Sequence, residues 1–203
     1  MNKDELLSLL KQKGVSDKVI SAISKVKREQ FVPDQFIDYS YEDIPLPLWS
    51  GSTISQPSTT AFMLDILDTK QGQKILELGS GSGYVLALMS EMIKDGKIYG
   101  IEILKELALK SRKVLSNNSI VEIITRSGTD GLIEFAPFDR IIVSFSCPDK
   151  YIPSKLIDQL TDPGILIVPI RQSIFKFEKK SGKVSQQEFP GFVFVPVLNQ
   201  KPE

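Results

Sequence analysis

The sequence predicts an α/β fold: a mostly parallel sheet covered by helices on both faces and ending in an antiparallel tail. Three observations predict it. From Lys74 onward, short β-branched and aliphatic runs alternate with segments of helical periodicity. One run, Ile75-Leu76-Glu77-Leu78, breaks into glycines on alternate positions, Gly79, Gly81 and Gly83, and leads into the helical stretch Tyr84 to Met89. Strand, glycine turn, helix is the layout of a nucleotide-binding crossover: glycine lets the backbone approach the ligand, and the helix N-terminus faces it. The tail changes character, because Ile174 to Glu178 alternates apolar and polar residues.

The first elements are helical. Asp4 to Lys13 carries Leu6, Leu7, Leu9 and Leu10, and Gly14 suits its stop. Ser16 caps a second helix with Val19, Ile20, Ile23 and Val26 at helical spacing. Neither helix clusters charge of one sign, so the pair reads as a small cover packed on the sheet. Proline at 45, 47 and 57 excludes a regular helix from Tyr41 to Pro57. A long irregular segment of this kind is usually functional or mobile. The hydroxyls of Ser52, Thr53, Ser55 and Ser58 gather just before a helix over Thr59 to Leu67, with Phe62, Met63, Ile66 and Leu67 on one face. From spacing alone, Ser55 and Ser58 serve equally well as caps or as ligand contacts.

Lys74 to Leu78 is the first main strand. Gly96 breaks the next helix, and Lys97 to Ile101 is the second strand, ending at Glu102. An acid there, about 20 residues past the glycine turn, stands where a ribose-binding carboxylate belongs. Leu104 to Leu115 is a helix, Val121 to Thr125 the third strand, Ser127 to Gly131 a turn, and Phe138 to Val143 the fourth strand. Ser144-Phe145-Ser146-Cys147-Pro148 lies at that strand's C-terminal end, where open α/β sheets bind ligands. Ile152 to Leu160 is a helix, and Pro163-Gly164 turns into a fifth strand, Ile165 to Ile170. Ile174 to Glu178 then turns at Gly182 toward Phe192-Val193-Phe194-Val195, giving two antiparallel strands. The whole chain reads as one domain: an N-terminal part over 1–57, a core over 58–170 and C-terminal strands over 171–203.

Composition narrows the chemistry. The 203 residues suffice for one well-filled core, with 41% apolar and 25% charged residues in the globular range. Lysine plus arginine equals aspartate plus glutamate, 25 each, so no global positive field draws in nucleic acid or an anionic membrane. No apolar run has the length of a membrane span and no signal-peptide core is evident, so a cytoplasmic protein is expected. The chain has no histidine, which excludes a histidine base and histidine metal sites. Its single cysteine, Cys147, excludes an internal disulfide and a cysteine zinc site, and reads as a small buried filler. Any catalysis must need no imidazole.

The glycine spacing refines the ligand. A dinucleotide fingerprint is G-x-G-x-x-G. Here the third glycine comes one residue early and Glu77 precedes the first by two, a pattern that resembles the S-adenosyl-L-methionine loop of class I methyltransferases and disfavours a nicotinamide dehydrogenase. The similarity extends along the chain. It includes Arg28 with Phe31-Val32-Pro33, Tyr41-Glu42-Asp43 with Pro45-Leu46-Pro47, and Thr53-Ile54-Ser55-Gln56-Pro57. Glu77 to Tyr84, Ile101-Glu102, Pro137-Phe138-Asp139, Pro148 and Phe194-Val195-Pro196 continue it. On these residues the chain resembles the protein-L-isoaspartate O-methyltransferase family, and Thr53 to Pro57 is the specific part.

That resemblance implies a three-layer α/β/α class I fold with a mostly parallel seven-stranded sheet and a small N-terminal helical cover. It implies S-adenosyl-L-methionine as donor and methylation of the free carboxylate of isoaspartyl or D-aspartyl residues in damaged protein. Ser55 takes the place of the active-site serine. Ser52, Thr53, Ile54, Glu77, Gly79, Ser80, Gly81, Gly83, Glu102, Ser127 and Gly128 are then expected at the donor, and Thr53, Ser55, Ser144 and Phe145 at the substrate. The expected partners are isoaspartyl-containing peptides and proteins, met by a monomer, with no metal. The chemistry suits a chain without histidine, because a carboxylate is already an anion at neutral pH and needs no general base.

Several positions depart from the family's pattern. Arg126-Ser127-Gly128 stands where Gly-Asp-Gly is usual, an exchange worth ~1 kcal/mol of donor affinity. Asp130 is a weak substitute by a shift in register. Trp49, Ser52, Ser58 and Phe145 also differ from the usual residues, and Phe145 is placed to narrow the peptide groove. Two alternatives therefore stand beside the repair reading: a methyltransferase of another substrate, and a non-catalytic relative that binds the donor.

Overall fold

The computed structural model describes residues 1–148 and 151–194, with backbone alone for Tyr151 and Ile152. Helices α1 (Lys3–Gln12) and α2 (Asp17–Lys25) open the chain, capped by Asn2 and Ser16. Short 3-10 turns at Arg28–Phe31 and Asp34–Tyr39 follow. The proline-rich segment is not wholly irregular. It holds a two-residue antiparallel pair, β1 (Leu46–Pro47) with β2 (Thr53–Ile54). Helix α3 (Pro57–Leu67) begins two residues earlier than expected, with proline in its first turn, where the missing N–H costs nothing. Its buried face is Thr60, Ala61, Met63, Leu64 and Leu67, while Phe62 and Ile66 are half-buried. Phe62 turns instead to the C-terminal aromatics, stacking on Phe192 and meeting the edge of Phe189.

The main elements follow as β3 (Lys74–Leu78), α4 (Tyr84–Ile93), β4 (Lys97–Glu102), α5 (Lys105–Val114), β5 (Val121–Thr125), β6 (Phe138–Val143), α6 (Tyr151–Asp158), β7 (Leu160–Ile170), β8 (Ser173–Lys180) and β9 (Lys183–Pro190). The seven strands β3 to β9 form one sheet in the order β5-β4-β3-β6-β7-β8-β9, parallel through β7 and antiparallel in the last two pairings. Alternation along each strand sorts its side chains onto two faces. Ile75, Ile98, Ile142 and Ile167 pack with α1 to α5 on one face. Leu76, Leu78, Tyr99, Ile141 and Leu166 pack with Leu156 of α6 on the other. The three layers are therefore α/β/α.

Two strand expectations need correction. β7 starts at Leu160, which pairs with Phe138 before a register shift, so Pro163 and Gly164 lie inside the strand at its irregular end. The last strand is Lys183–Pro190, and Phe192 to Phe194 form no strand; Val195 and Pro196 lie outside the described residues. β9 is an edge strand with almost every residue exposed, so it carries no apolar pattern to read. Among the described residues no helix is long and apolar enough to cross a membrane, and no cluster of acids and cysteine is arranged to hold a metal.

Candidate active site

Chain direction places the site. β3 is followed by β4 and β5 on one side, and β6 and β7 continue on the other. The switch between β3 and β6 opens a crevice at the C-terminal ends of the strands. A cavity of about 550 Å³ fills it. Ser52, Thr53, Ser55, Gly79, Gly81, Glu102, Ser127, Gly128, Ser144 and Phe145, ten of the residues expected there, line it.

The glycine loop forms its floor. The Gly79 and Ser80 amides both donate to the Ile101 carbonyl, at 2.8 and 3.0 Å, locking the loop to the end of β4. Gly79 sits at φ +76°, and a Cβ there would fall 2.7 Å from a ring carbon of Phe145. Only glycine therefore allows the β6 loop to close on the β3 loop at this point. Gly83 is placed otherwise: it sits at φ +88° as the N-cap of α4 and faces Ser111 and Leu115 rather than the cavity.

Glu102 ends β4 and is 5% exposed. One carboxylate oxygen accepts from the Gly81 amide at 2.7 Å, the other from the Leu104 amide at 2.9 Å. Burial raises its pKa above the usual carboxylate value, while these amides and that of Ile103 pull it back. Two oxygens carry about four acceptor positions, so the amides leave room for a further donor. Glu102 is the one charged residue among the described lining residues.

The β1–β2 loop forms the opposite wall. Strand alternation turns Thr53 and Ser55 into the cavity and Ile54 into the core, where it is 5% exposed. Ile54 is thus corrected from site to core. The Ser55 hydroxyl has no hydrogen-bond partner among the described residues, and its carbonyl accepts from Arg28 at 3.0 Å. Neither Ser55 nor Ser58 caps α3. Its N-cap is Gln56, and Asp43 reaches across to accept from the Ser58 amide at 2.8 Å. Burial opposes ionisation of Asp43, but donors from Ser58, Gln56 and Lys13 outweigh it and hold the carboxyl below its ordinary value. Ser52 lines the cavity, although its hydroxyl donates to the Trp49 carbonyl at 2.8 Å.

Two more expectations are corrected. Glu77 is 1% exposed and stands behind the wall, not in it. One of its oxygens accepts from the Ser144 hydroxyl at 2.7 Å; the other has no partner. Burial pushes its pKa up to about 8, against the Ser144 bond and with the Glu102 charge adding to the rise. Ser80 is buried with its hydroxyl unpartnered, behind the loop whose glycines reach the cavity.

The departures also find places. Ser127 and Thr129 pair their hydroxyls at 3.2 Å on the cavity wall. Asp130 does not replace an adenine-facing acid, because it pairs with Lys155 at 2.6 Å. Trp49 lies outside the cavity, with the Lys110 ammonium 4.3 Å from its ring centroid. Cys147 is buried, as a filler should be.

The sequence reading missed Pro45, Gln56, Thr59, Ile101, Ile103, Leu104, Thr129 and Gly191 to Phe194. Gln56, Ile101, Ile103 and Thr129 flank residues it did identify. Phe192 to Phe194 were read as a strand and not as site residues; they reach the cavity where Phe62 stacks on Phe192 with ring centroids 5.2 Å apart.

Comparison with known proteins agrees with this geometry. The family described as protein-L-isoaspartate(D-aspartate) O-methyltransferase (PCMT) matches residues 1–202. A protein-L-isoaspartate O-methyltransferase of Fervidobacterium nodosum is 42% identical over 200 residues, covering 95% of this chain and 99% of that one. One of Thermosipho melanesiensis is 40% identical over 196 residues, covering 93% and 98%. Among solved structures, a protein-L-isoaspartate O-methyltransferase superposes with TM-score 0.88 at 28% identity over 98% of this chain and 66% of that one. A putative one from Plasmodium falciparum, in complex with S-adenosyl-L-homocysteine, superposes with TM-score 0.83 at 26% identity over 98% and 100%. A match over nearly every residue, on a sheet whose switch point carries the glycine loop and Glu102, places the chain in the protein-L-isoaspartate(D-aspartate) O-methyltransferase family.

Proposed function

We propose that this chain transfers a methyl group from S-adenosyl-L-methionine to the free carboxylate of L-isoaspartyl or D-aspartyl residues in damaged protein, initiating repair. The observation that carries the proposal is one cavity with an unpartnered Ser55 hydroxyl on one wall and the Glu102 carboxylate and glycine loop on the other.

The residues present fit the donor. Glu102 offers an acceptor position for a ribose hydroxyl. Ile101, Ile103, Leu104 and Gly128 make an apolar slot for a flat base, with the Ser127 and Thr129 hydroxyls at its side. Gly79 and Gly81 leave room for the amino acid end. When bound, S-adenosyl-L-methionine supplies an electrophilic methyl group on a sulfonium sulfur.

The protein's task is then alignment. The substrate carboxylate is ionised at neutral pH, so no side chain has to remove a proton. Ser55 donates a hydrogen bond to one of its oxygens and turns the other toward the methyl. Holding two reactants in line is where effective molarity arises, and it needs neither a base nor a metal. The absence of a lining cation among the described residues is consistent with this. A cation in direct contact would stabilise the resting anion more than the transition state, in which that negative charge is being neutralised. Phe145, where the family has a small residue, narrows the side from which a peptide enters.

The test uses labelled S-adenosyl-L-methionine with an isoaspartyl peptide and its ordinary aspartyl twin. Base-labile label on the first peptide alone is the expected result. Label on both, or donor binding without transfer to either, overturns the proposal.

A further inference from the structure

A buried cation lies directly behind the cavity wall. Arg28 is 0% exposed, and among the described residues it forms no ion pair within 4.0 Å. Its guanidinium is charged at any working pH. Burying an unpaired charge is expensive, and a methionine would fill the space without that penalty. What the guanidinium does is specific. One terminal nitrogen donates to the Ser40 carbonyl, the other to the Ser55 carbonyl at 3.0 Å. Its Cζ lies 5.7 Å from the ring centroid of Tyr84, the first residue of α4 after the glycine loop. Nearby acids hydrogen-bond other groups: Glu29 accepts from the Tyr41 hydroxyl, and Asp43, whose charge acts on Arg28 without contact, accepts from the Ser58 amide and from Lys13. The Arg28 Nε is buried without a partner.

We infer that Arg28 is a positioning residue that fixes Ser55 through its carbonyl and gives this wall the positive potential that selects an anionic substrate group. The inference rests on the proposed role of Ser55. It accounts for how a cavity whose one charged lining residue is an acid favours a carboxylate. The charge stands one peptide unit behind the hydroxyl, too far for contact and in a medium that screens it weakly. Substrate selection gains from it without a cation clamping the nucleophile.

The test compares an isoaspartyl peptide with its isoasparaginyl twin, a neutral amide of the same shape. Calorimetry measures both affinities in the presence of S-adenosyl-L-homocysteine. The wild type should bind the acid about tenfold more tightly than the amide, as expected for one charge at this range. In Arg28→Gln that ratio should fall to within about threefold of unity, while the affinity for S-adenosyl-L-homocysteine holds within about threefold. Arg28→Lys keeps the charge but loses the fork. It should retain the ratio within about threefold, with turnover lowered about tenfold by loss of the Ser55 anchor. A merely structural arginine would weaken both peptides equally. An unchanged ratio in Arg28→Gln, or a lost ratio in Arg28→Lys, overturns the inference, and the lysine variant decides alone if the glutamine variant does not fold. Wild-type binding of the peptides without preference for the acid also overturns it, leaving the repair function standing. No binding of either peptide by the wild type overturns both.

Discussion

Replacing Glu77 by glutamine should make the protein more stable in alkali. The Glu77 side chain is 1% exposed, with one oxygen on the Ser144 hydroxyl and the other unpartnered. Burial, with help from Glu102, lifts its pKa from 4.5 to about 8. The folded form therefore holds a proton that the unfolded chain has already lost. The unfolding free energy then falls as pH rises, because the folded state binds more protons than the unfolded one. The stabilisation of the neutral form is intact below about pH 4.5, declines between 4.5 and 8, and levels off above 8. At about 1.4 kcal/mol per tenfold change, the ceiling on this loss is on the order of 5 kcal/mol. That is comparable with the whole stability of a marginal domain, roughly 5–15 kcal/mol. Glutamine fills the same space and still accepts from Ser144, but cannot ionise. Urea unfolding of the ligand-free protein at pH 6 and pH 9 reads the difference. The wild type should lose up to about 3 kcal/mol between them, the part of the window that lies above pH 6, and Glu77→Gln much less; the Glu77–Glu102 coupling disappears with the carboxyl and belongs to the same difference. Parallel losses would refute the buried, neutral Glu77 carboxyl.

Three other perturbations address the site directly. Ser55→Ala removes a hydrogen bond to a charged group worth about 1.5–3 kcal/mol, so kcat/KM for an isoaspartyl peptide should fall roughly tenfold to a hundredfold. Donor affinity by calorimetry should stay nearly unchanged, and unaltered turnover would remove Ser55 from the mechanism. Glu102→Ala should weaken donor binding about tenfold or more, since it deletes a charge-assisted contact, and equal affinity would contradict the ribose role. Asp43→Asn keeps the shape at the N-terminus of α3 but removes a charge worth about 0.3–1 kcal/mol there. Because the folded carboxyl titrates below its unfolded value, this contribution is present above about pH 4 and is lost as pH falls further. A stability difference between wild type and Asp43→Asn that persists at pH 2 would argue against it.

Much of the core was legible because β3 and β6 are buried on both faces; β5, a half-exposed edge strand, was legible from its β-branched run alone. β3, β5 and β6 fall where their apolar runs end, since glycine, proline or a charge bounds each run. β9 was not legible, because an edge strand with two wet faces has no apolar periodicity, and the phenylalanines just beyond it imitate a strand better. Within the site, Glu102 was expected from residue type and spacing, whereas spacing left the hydroxyl cluster undecided between cap and ligand contact and the family resemblance singled out Ser55. Ile54 was misplaced, although period-two alternation between Thr53 and Ser55 already points it inward. Glu77 and Ser80 were misplaced for a different reason. In a tight glycine loop some side chains support the backbone from behind, and spacing does not tell which. The cap on α3 comes from Asp43, fifteen residues before Ser58, a contact that only tertiary structure creates.

Hydrogen exchange with and without saturating S-adenosyl-L-homocysteine tests the central claim most directly: that the donor lies across the ends of β3 and β4. Slowed exchange at Gly79 to Gly83, Ile101 to Leu104 and Ser127 to Thr129, with β8 and β9 unchanged, is the predicted result. Bound ligand that leaves the glycine loop and the Glu102 segment unprotected, or that protects a different face of the sheet, would contradict it.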